Sequence, residues 1–316
     1  MKQVVFIAWQ TATRSQNLAQ ILKTPLVDGK LSTNKFIRLF QYKFLMLFTL
    51  FYLCHKTPQV VFVQLPPFYA LLPCLIYKAL FKRKLICDCH SGIFLPKNFY
   101  QKIYFMVCRK LLARTTLIII HNEDILDLIP ELTSKVFVLE DPIVYQPAPK
   151  VNNPRLKVVI ISGGGQDEPI DELLKAASQL TSIDFYLTGR HDRRKIKQPP
   201  GNFFVTGYLP QSKYKALLLS ADLIIALSTR DRTVLCGAYE AVALTKPLVT
   251  SNTPTLKKYF PKGAVFTENN YLAIAQAIID VQKHLSQLKE KMAELRAIKL
   301  KQWNERFSLL QKIISD

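Results

Sequence analysis

The sequence predicts an α/β protein built of two Rossmann-like domains, and three observations predict it. Short apolar runs without internal alternation recur along all 316 residues, each followed by a polar turn and a stretch of helical periodicity. A stretch carrying Pro142, Pro147, Pro149 and Pro154 interrupts this pattern near the middle. The length exceeds the roughly 250–300 residues at which single cores stop growing.

The elements follow in order. In the first half the runs are Val4–Ala8, Val60–Gln64, Leu85–Cys89, Leu117–Ile120 and Val136–Leu139. In the second half they are Val158–Ser162, Phe185–Thr188, Phe203–Thr206, Leu223–Leu227, Pro247–Thr250 and Ala264–Phe266. Unbroken runs of this kind suit strands of parallel sheets covered by helices on both faces. The reading places one domain over residues 1–145, a linker over 146–155 and a second domain over 156–295. Residues 296–316, with Trp303 and Phe307 four apart, are expected to form a helix that packs back toward the first domain. Ligands of open α/β sheets sit beyond the carboxyl ends of the strands, so two facing domains of this type would enclose a cleft.

Two apolar stretches bear on membrane topology. Phe44–His55 is uncharged over 12 residues, too short to cross a bilayer. Thr57–Tyr77 is uncharged over 21, but Pro66-Pro67 divides it into a strand and a following helix. Val4–Ala8 lacks a small-residue cleavage site and reads as a first strand. No transmembrane span is expected. The six cysteines have neither disulfide-framework nor zinc spacing, and Cys87 and Cys89 read as buried thiols of a reducing compartment.

Charge is unevenly spread. Of the net +20, residues 1–122 contribute +15, from 17 Lys+Arg against Asp28 and Asp88. An anionic partner should therefore meet the first half. Lys35–Leu53 is aromatic-rich and flanked by cations, and Lys78, Lys82-Arg83-Lys84, Lys97, Lys102, Arg109-Lys110 and Arg114 follow. Such a surface suits an anionic leaflet without crossing it, whereas packing as a core helix explains the apolar residues but not the basic ones.

The most informative segment is Leu223–Thr250, LIIALSTRDRTVLCGAYEAVALTKPLVT. A strand runs into the loop Ser228–Leu235, and a helix begins near Gly237. Exposed amides at that helix start, with Gly237 permitting close approach, would receive a diphosphate. Glu240 is expected on the first turn, within reach of ribose hydroxyls. Upstream, Ser162–Glu168 reads SGGGQDE. Gly163, Gly164 and Gly165 would let a donor approach the backbone, and a plain tight turn uses the same residues.

Leu223–Thr250 resembles the donor-binding motif of family 4 glycosyltransferases of the GT-B fold. In that family a Glu, seven residues and a second Glu precede A-x-A-x-G-K-P-V-V. The second Glu matches Glu240 and the first falls at Arg232. Val61–His90, with its proline pair and D-x-H at Asp88–His90, is similar to a branch acting on lipid-linked acceptors. That branch includes β-mannosyltransferases of lipid-linked chitobiose and bacterial exopolysaccharide enzymes. WQTATRSQNL at 9–18 resembles its first loop, placing Arg14 and Ser15 on the acceptor side.

The resemblance implies a metal-independent hexosyltransferase, with helix amides carrying the leaving diphosphate and no cofactor beyond a UDP- or GDP-linked sugar donor. It implies a lipid-linked polyprenyl-diphosphate or polysaccharide acceptor, and a location peripheral to the inner face of the cytoplasmic membrane. Arg190, Gly207, Tyr208, Thr229, Arg232, Gly237, Ala238, Tyr239 and Glu240 join the glycines as donor-binding residues; the family's loop Arg and Lys are absent.

Asp88 and His90 are the catalytic candidates. Two residues apart at a strand end, they point the same way. Either would take the acceptor's proton in an inverting reaction, whereas His90 would contact donor hydroxyls in a retaining one. A structural ion pair is the other reading of Asp88. His121, followed by Asn122 and Glu123, reads as a helix cap. A dinucleotide oxidoreductase lacks its G-x-G-x-x-G after Val4–Ala8, and no nucleic-acid-binding module is present. A non-catalytic GT-B relative is the alternative that the missing Glu and Arg/Lys pair leave open.

Overall fold

The computed structural model describes residues 3–315 except 11, 30, 33, 145–152, 192–195 and 197. The expected linker, 146–155, lies mostly outside the described residues. The chain forms two compact units, residues 1–142 with 303–316, and residues 143–302.

Unit 1 runs β1 (Val4–Ala8), α1 (Thr13–Ile21), β2 (Leu26–Asp28), α2 (Lys35–Lys56), β3 (Val60–Leu65), α3 (Leu71–Phe81), β4 (Lys84–Cys89), α4 (Phe99–Leu112), β5 (Leu117–Ile120) and β6 (Val136–Val138). All five strand pairings are parallel, in the order β2-β1-β3-β4-β5-β6. Each expected strand of this half forms. The short edge strand β2 is additional: three residues carry no readable period. The Leu65–Pro66 and Pro66–Pro67 peptide bonds are cis.

The sheet alternates its contacts as a doubly covered sheet must. Val5, Ile7, Val61 and Val63 pack with Leu45 and Leu53 of α2, Cys74 and Tyr77 of α3, and Cys108 and Leu112 of α4. Phe6, Phe62, Ile86 and Ile119 pack on the opposite face with Leu18 of α1 and with Phe307, Leu310 and Ile314. Those last three belong to the end of the terminal helix, whose Trp303 Nε1 donates to the Glu140 carbonyl at 3.2 Å.

α2 departs from the sequence reading. It is 22 residues long, because Arg38 and Lys43 lie within it, and is not a mainly buried core helix. Phe36–Lys56 is long and apolar enough to cross a membrane by length and composition, with only 17% of that window buried. Its buried edge is narrow: Leu45, Thr49 and Leu53, with Trp9 Nε1 donating to Thr49 Oγ1 at 3.1 Å.

Unit 2 runs β7 (Lys157–Ile160), α5 (Ile170–Gln179), β8 (Asp184–Thr188), β9 (Phe203–Gly207), α6 (Gln211–Ser220), β10 (Leu223–Ala226), α7 (Cys236–Ala243), β11 (Leu248–Ser251), α8 (Pro254–Tyr259), β12 (Ala264–Thr267), α9 (Tyr271–Lys283) and α10 (Leu285–Ser315), whose last turns belong to unit 1. The parallel sheet has the order β12-β11-β10-β7-β8-β9, the doubly wound arrangement whose topological switch falls between β7 and β10. In unit 1 the corresponding switch falls between β1 and β3.

Candidate active site

In unit 1 the carboxyl ends of β1, β4 and β5 gather one buried charge cluster. Asp88 ends on β4, fully buried, and both carboxylate oxygens accept from Arg14 Nε at 3.0 and 3.1 Å. Arg14 Nη1 donates to Asp141 at 2.6 Å and Nη2 to the Leu139 carbonyl at 2.9 Å. Burial opposes ionisation of Asp88, but the guanidinium and His121 more than offset it and hold the carboxyl well below its ordinary range. Arg14, although buried, is held charged by its two carboxylates.

This arrangement bears on four expectations. Asp88 belongs to a buried ion pair, both of its oxygens accepting from Arg14 Nε. Arg14 is 1% exposed and bound on every side, so it does not face an acceptor. Ser15 is equally buried; its Oγ donates to the Ala12 carbonyl and accepts from the Ala12 amide, capping α1. His121 is no helix cap: its Nε2 lies 3.6 Å from Asp88 Oδ1.

His90 follows β4 directly and is half-buried, its ring edge-on to His121 with centroids 4.9 Å apart. Burial and the neighbouring His121 lower its pKa to about 4, so the imidazole is neutral at physiological pH. A neutral imidazole at a strand end can accept a proton or bond a sugar hydroxyl. Asp88, His90 and His121 also offer three metal-ligating atoms within 4.8 Å of one another. The positive charge that such a group calls for is already supplied at Asp88 by Arg14. Sequence reasoning did not join His121 to His90, because it follows a different strand, β5, 31 residues on.

In unit 2 the loop after β7 is stitched to the loop after β10, across the topological switch. Thr229 N donates to the Asp167 carbonyl at 2.7 Å, Ser228 Oγ to Asp167 Oδ2 at 2.8 Å, and Arg230 pairs with Asp167 at 2.9 Å. The glycine loop is occupied by the chain itself. The Glu168 carboxylate accepts from the amides of Gly163 at 2.8 Å, Gly164 at 3.1 Å and Gly165 at 3.2 Å, and from Ser162 Oγ. Successive amides converging on an anion form a nest, and here the anion is a side chain rather than a donor phosphate. Gly164 is required for another reason: at φ 80° a Cβ would come within 2.4 Å of the Arg190 carbonyl. Glu168→Ala is therefore expected to lower the thermal midpoint in dilute buffer, by about 1–3 kcal/mol of stability. Inorganic phosphate should restore part of it by filling the vacated nest, which differential scanning fluorimetry would detect.

Helix α7 also differs from expectation. Gly237, Ala238 and Tyr239 are buried. A Cβ on Gly237 would meet Ile161 at 2.9 Å and Ala226 Cβ at 3.2 Å, so the glycine admits the helix to the sheet rather than a ligand to the helix. The amides of Ala238 and Tyr239 donate to the Leu235 carbonyl. Glu240 sits one turn in, not on the first turn, and its Oε2 accepts from Tyr214 Oη at 2.6 Å.

Of the side chains expected to bind the donor, Arg190, after β8, Tyr208, after β9, and Thr229, after β10, face solvent. The Arg190 guanidinium lies over the 70%-exposed Tyr208 ring at 4.8 Å. Gly207, at φ 71°, makes the turn that presents this ring. Arg232 is half-buried in the loop, in the left-handed region at φ 53°.

Residues 156–284 match the family model described as Glycosyl transferases group 1. No curated protein matches the chain. Among solved structures, HepE from Anabaena in complex with UDP and glucose is similar with a TM-score of 0.74 at 11% identity, over 100% of both chains. Sucrose-phosphate synthase from Thermosynechococcus elongatus gives 0.79 at 10% identity, over 100% of this chain and 98% of that one. A TarM variant from S. aureus, in complex with fondaparinux, alpha-GlcNAc-glycerol and UDP, gives 0.68 at 16%, over 85% and 58% of the two chains. The chain has the GT-B fold, and residues 156–284 of its second unit are similar to the group 1 glycosyl transferases.

Proposed function

We propose that the protein is a glycosyltransferase that moves a hexose from a nucleotide-sugar donor to a lipid-linked, polyprenyl-diphosphate or polysaccharide acceptor at the inner face of the cytoplasmic membrane. The observation that carries the reading is the group 1 match, on a unit whose carboxyl edge exposes Arg190 over Tyr208. UDP is preferred over GDP as the donor nucleotide, because the similar structures named above include complexes with UDP.

The donor is assigned to unit 2. The exposed Tyr208 ring is a stacking platform for a base, and Arg190 offers positive charge to the departing diphosphate. The acceptor is assigned to unit 1. In the transfer the acceptor hydroxyl attacks the anomeric carbon, His90 takes the hydroxyl proton, and the bond from the anomeric carbon to the diphosphate oxygen breaks. The electron pair of that bond leaves with the nucleoside diphosphate. Arg14, Asp88 and His121 act as positioning residues behind His90.

The membrane part of the reading is supported by the helices on one face of unit 1. Sixteen of the 22 exposed large apolar side chains of the described residues lie on α2, α3 and α4, among them Phe36, Phe40 and Leu47, each more than 70% exposed. The sequence from residue 29 to residue 122 contains one acid, the buried Asp88, so the cations on these helices face no exposed carboxylate from that stretch. With Leu45, Thr49 and Leu53 fixed in the core, α2 would lie along a leaflet rather than cross it.

The test is transfer itself. Purified protein is incubated with radiolabelled UDP- and GDP-hexoses and polyprenyl-diphosphate saccharides in vesicles. Label entering the organic phase from one donor supports the proposal. Label remaining aqueous with every donor, by a protein that binds the nucleotide, favours the non-catalytic relative.

A further inference from the structure

Unit 1 carries a second basic feature, at the opposite edge of its sheet from His90. α3 ends at Phe81, and Lys82, in the left-handed region at φ 50°, turns the chain back into β4. The turn brings Lys82, Arg83 and Lys84 beside Lys78 of α3 and Arg114. Together they line an open groove of about 670 Å³ at the amino ends of β4 and β5. The groove is one strand length, roughly 17 Å, from the end of β4 where His90 sits.

Five cations at one groove repel one another unless an anion is present. None of the nine residues lining the groove is acidic. Lys78 Nζ donates to the Arg114 carbonyl at 2.6 Å and Lys84 Nζ to the Ile313 carbonyl at 2.8 Å, which fixes both amines while leaving each with further protons. Arg83 Nε is buried and has no hydrogen-bond partner. The remaining wall is apolar, formed by Leu75, Ile76 and Ala79. It continues outward on the exposed Ile76, Leu80 and Phe81. A nucleotide or free phosphate would leave this apolar side uncovered, whereas a phosphate bearing hydrocarbon fills both parts.

We propose that this groove binds the headgroup of an anionic phospholipid, its phosphate among Lys82, Arg83, Lys84 and Arg114 and its acyl chains along Ile76, Leu80 and Phe81. The site is separate from sugar transfer, and it gives a membrane-bound protein a preference for particular lipids beyond general charge attraction. It deepens the membrane reading above without requiring the α2 face to bind.

The experiment titrates dihexanoyl phosphatidylglycerol, below its micelle concentration, into the full chain by calorimetry. Glycerol 3-phosphate and inorganic phosphate serve as the arms that carry phosphate alone. The expected result is saturable one-to-one binding of the short lipid, at least about ten-fold tighter than either soluble phosphate. In Arg83→Gln/Arg114→Gln it should weaken at least about ten-fold; Arg114→Gln alone, at an exposed position, should show a smaller loss in the same direction. Phe40→Glu/Leu47→Glu on α2 should keep short-lipid binding while losing sedimentation with phosphatidylglycerol vesicles. No saturable binding, or undiminished binding by both groove variants, overturns the proposal. Inorganic phosphate binding as tightly as the lipid overturns the lipid assignment, and loss of short-lipid binding in the α2 variant moves the lipid off the groove. Vesicle binding retained by a chain that takes up no short lipid refutes the groove while sparing the membrane reading.

Discussion

Asp88→Asn is expected to destabilise unit 1 by about 3–5 kcal/mol, the range seen when one partner of a buried ion pair is removed. Arg14 would keep its charge in a fully buried position and lose both carboxylate contacts at 3.0 and 3.1 Å, leaving Asp141 as its one counter-charge in the cluster. Arg14→Lys should cost a comparable amount, since one ammonium cannot reach Asp88, Asp141 and the Leu139 carbonyl together as the fork does. Both tryptophans, Trp9 and Trp303, belong to unit 1, so fluorescence during urea denaturation reads that unit. The midpoint should fall in both variants; an unchanged midpoint would show that the cluster is not a structural tie.

His90→Gln is expected to reduce sugar transfer by about 10²–10⁴-fold, the usual contribution of a positioned acid–base group, with the urea midpoint near that of the parent protein. The pH dependence separates this role from packing. With its pKa at about 4, His90 is neutral throughout the physiological range, so the acid limb of kcat/KM should fall near pH 4 rather than near the ordinary 6.5. Stability follows the same group. Between pH 6.5 and about 4 the unfolded chain takes up a proton at His90 that the folded chain does not. The folded state therefore loses at most about 3 kcal/mol as pH falls through that window, and His90→Gln should remove that slope. Asp88, its carboxyl held low, adds its own loss only below its ordinary pKa near 3.8. An acid limb unchanged in His90→Gln would rule out the proton-accepting role.

The fold was largely legible because parallel strands covered on both faces are unbroken apolar runs, and all eleven expected strands form. β2 was not legible, since a three-residue edge strand has no period to read. α2 was misread because charge was counted along the chain, whereas Arg38 and Lys43 continue the helix from its surface. At the site, the D-x-H spacing located the end of β4 correctly, but spacing along a strand does not tell which partner crosses from another element. Arg14 reaches Asp88 over 74 positions, a contact that no spacing along one strand announces.

The glycines illustrate the same limit. Gly163–Gly165 and Gly237 mark close approach, but the approaching groups are Glu168, the Arg190 carbonyl and Ile161 of the same chain. Arg190 and Tyr208, both expected among the donor-binding residues, are a stacked, exposed pair.

The central claim is a nucleotide-sugar site on unit 2, and nucleotide-dependent stabilisation of the intact chain tests it most directly. A ligand that binds only the folded state raises the thermal midpoint, by about 2.7 kcal/mol of stability at a hundred-fold excess over Kd. UDP should stabilise the protein more than GDP or CMP, and Tyr208→Ala with Arg190→Ala should abolish the effect. No shift with any nucleotide or nucleotide-sugar, or an undiminished shift in that double variant, would contradict the account.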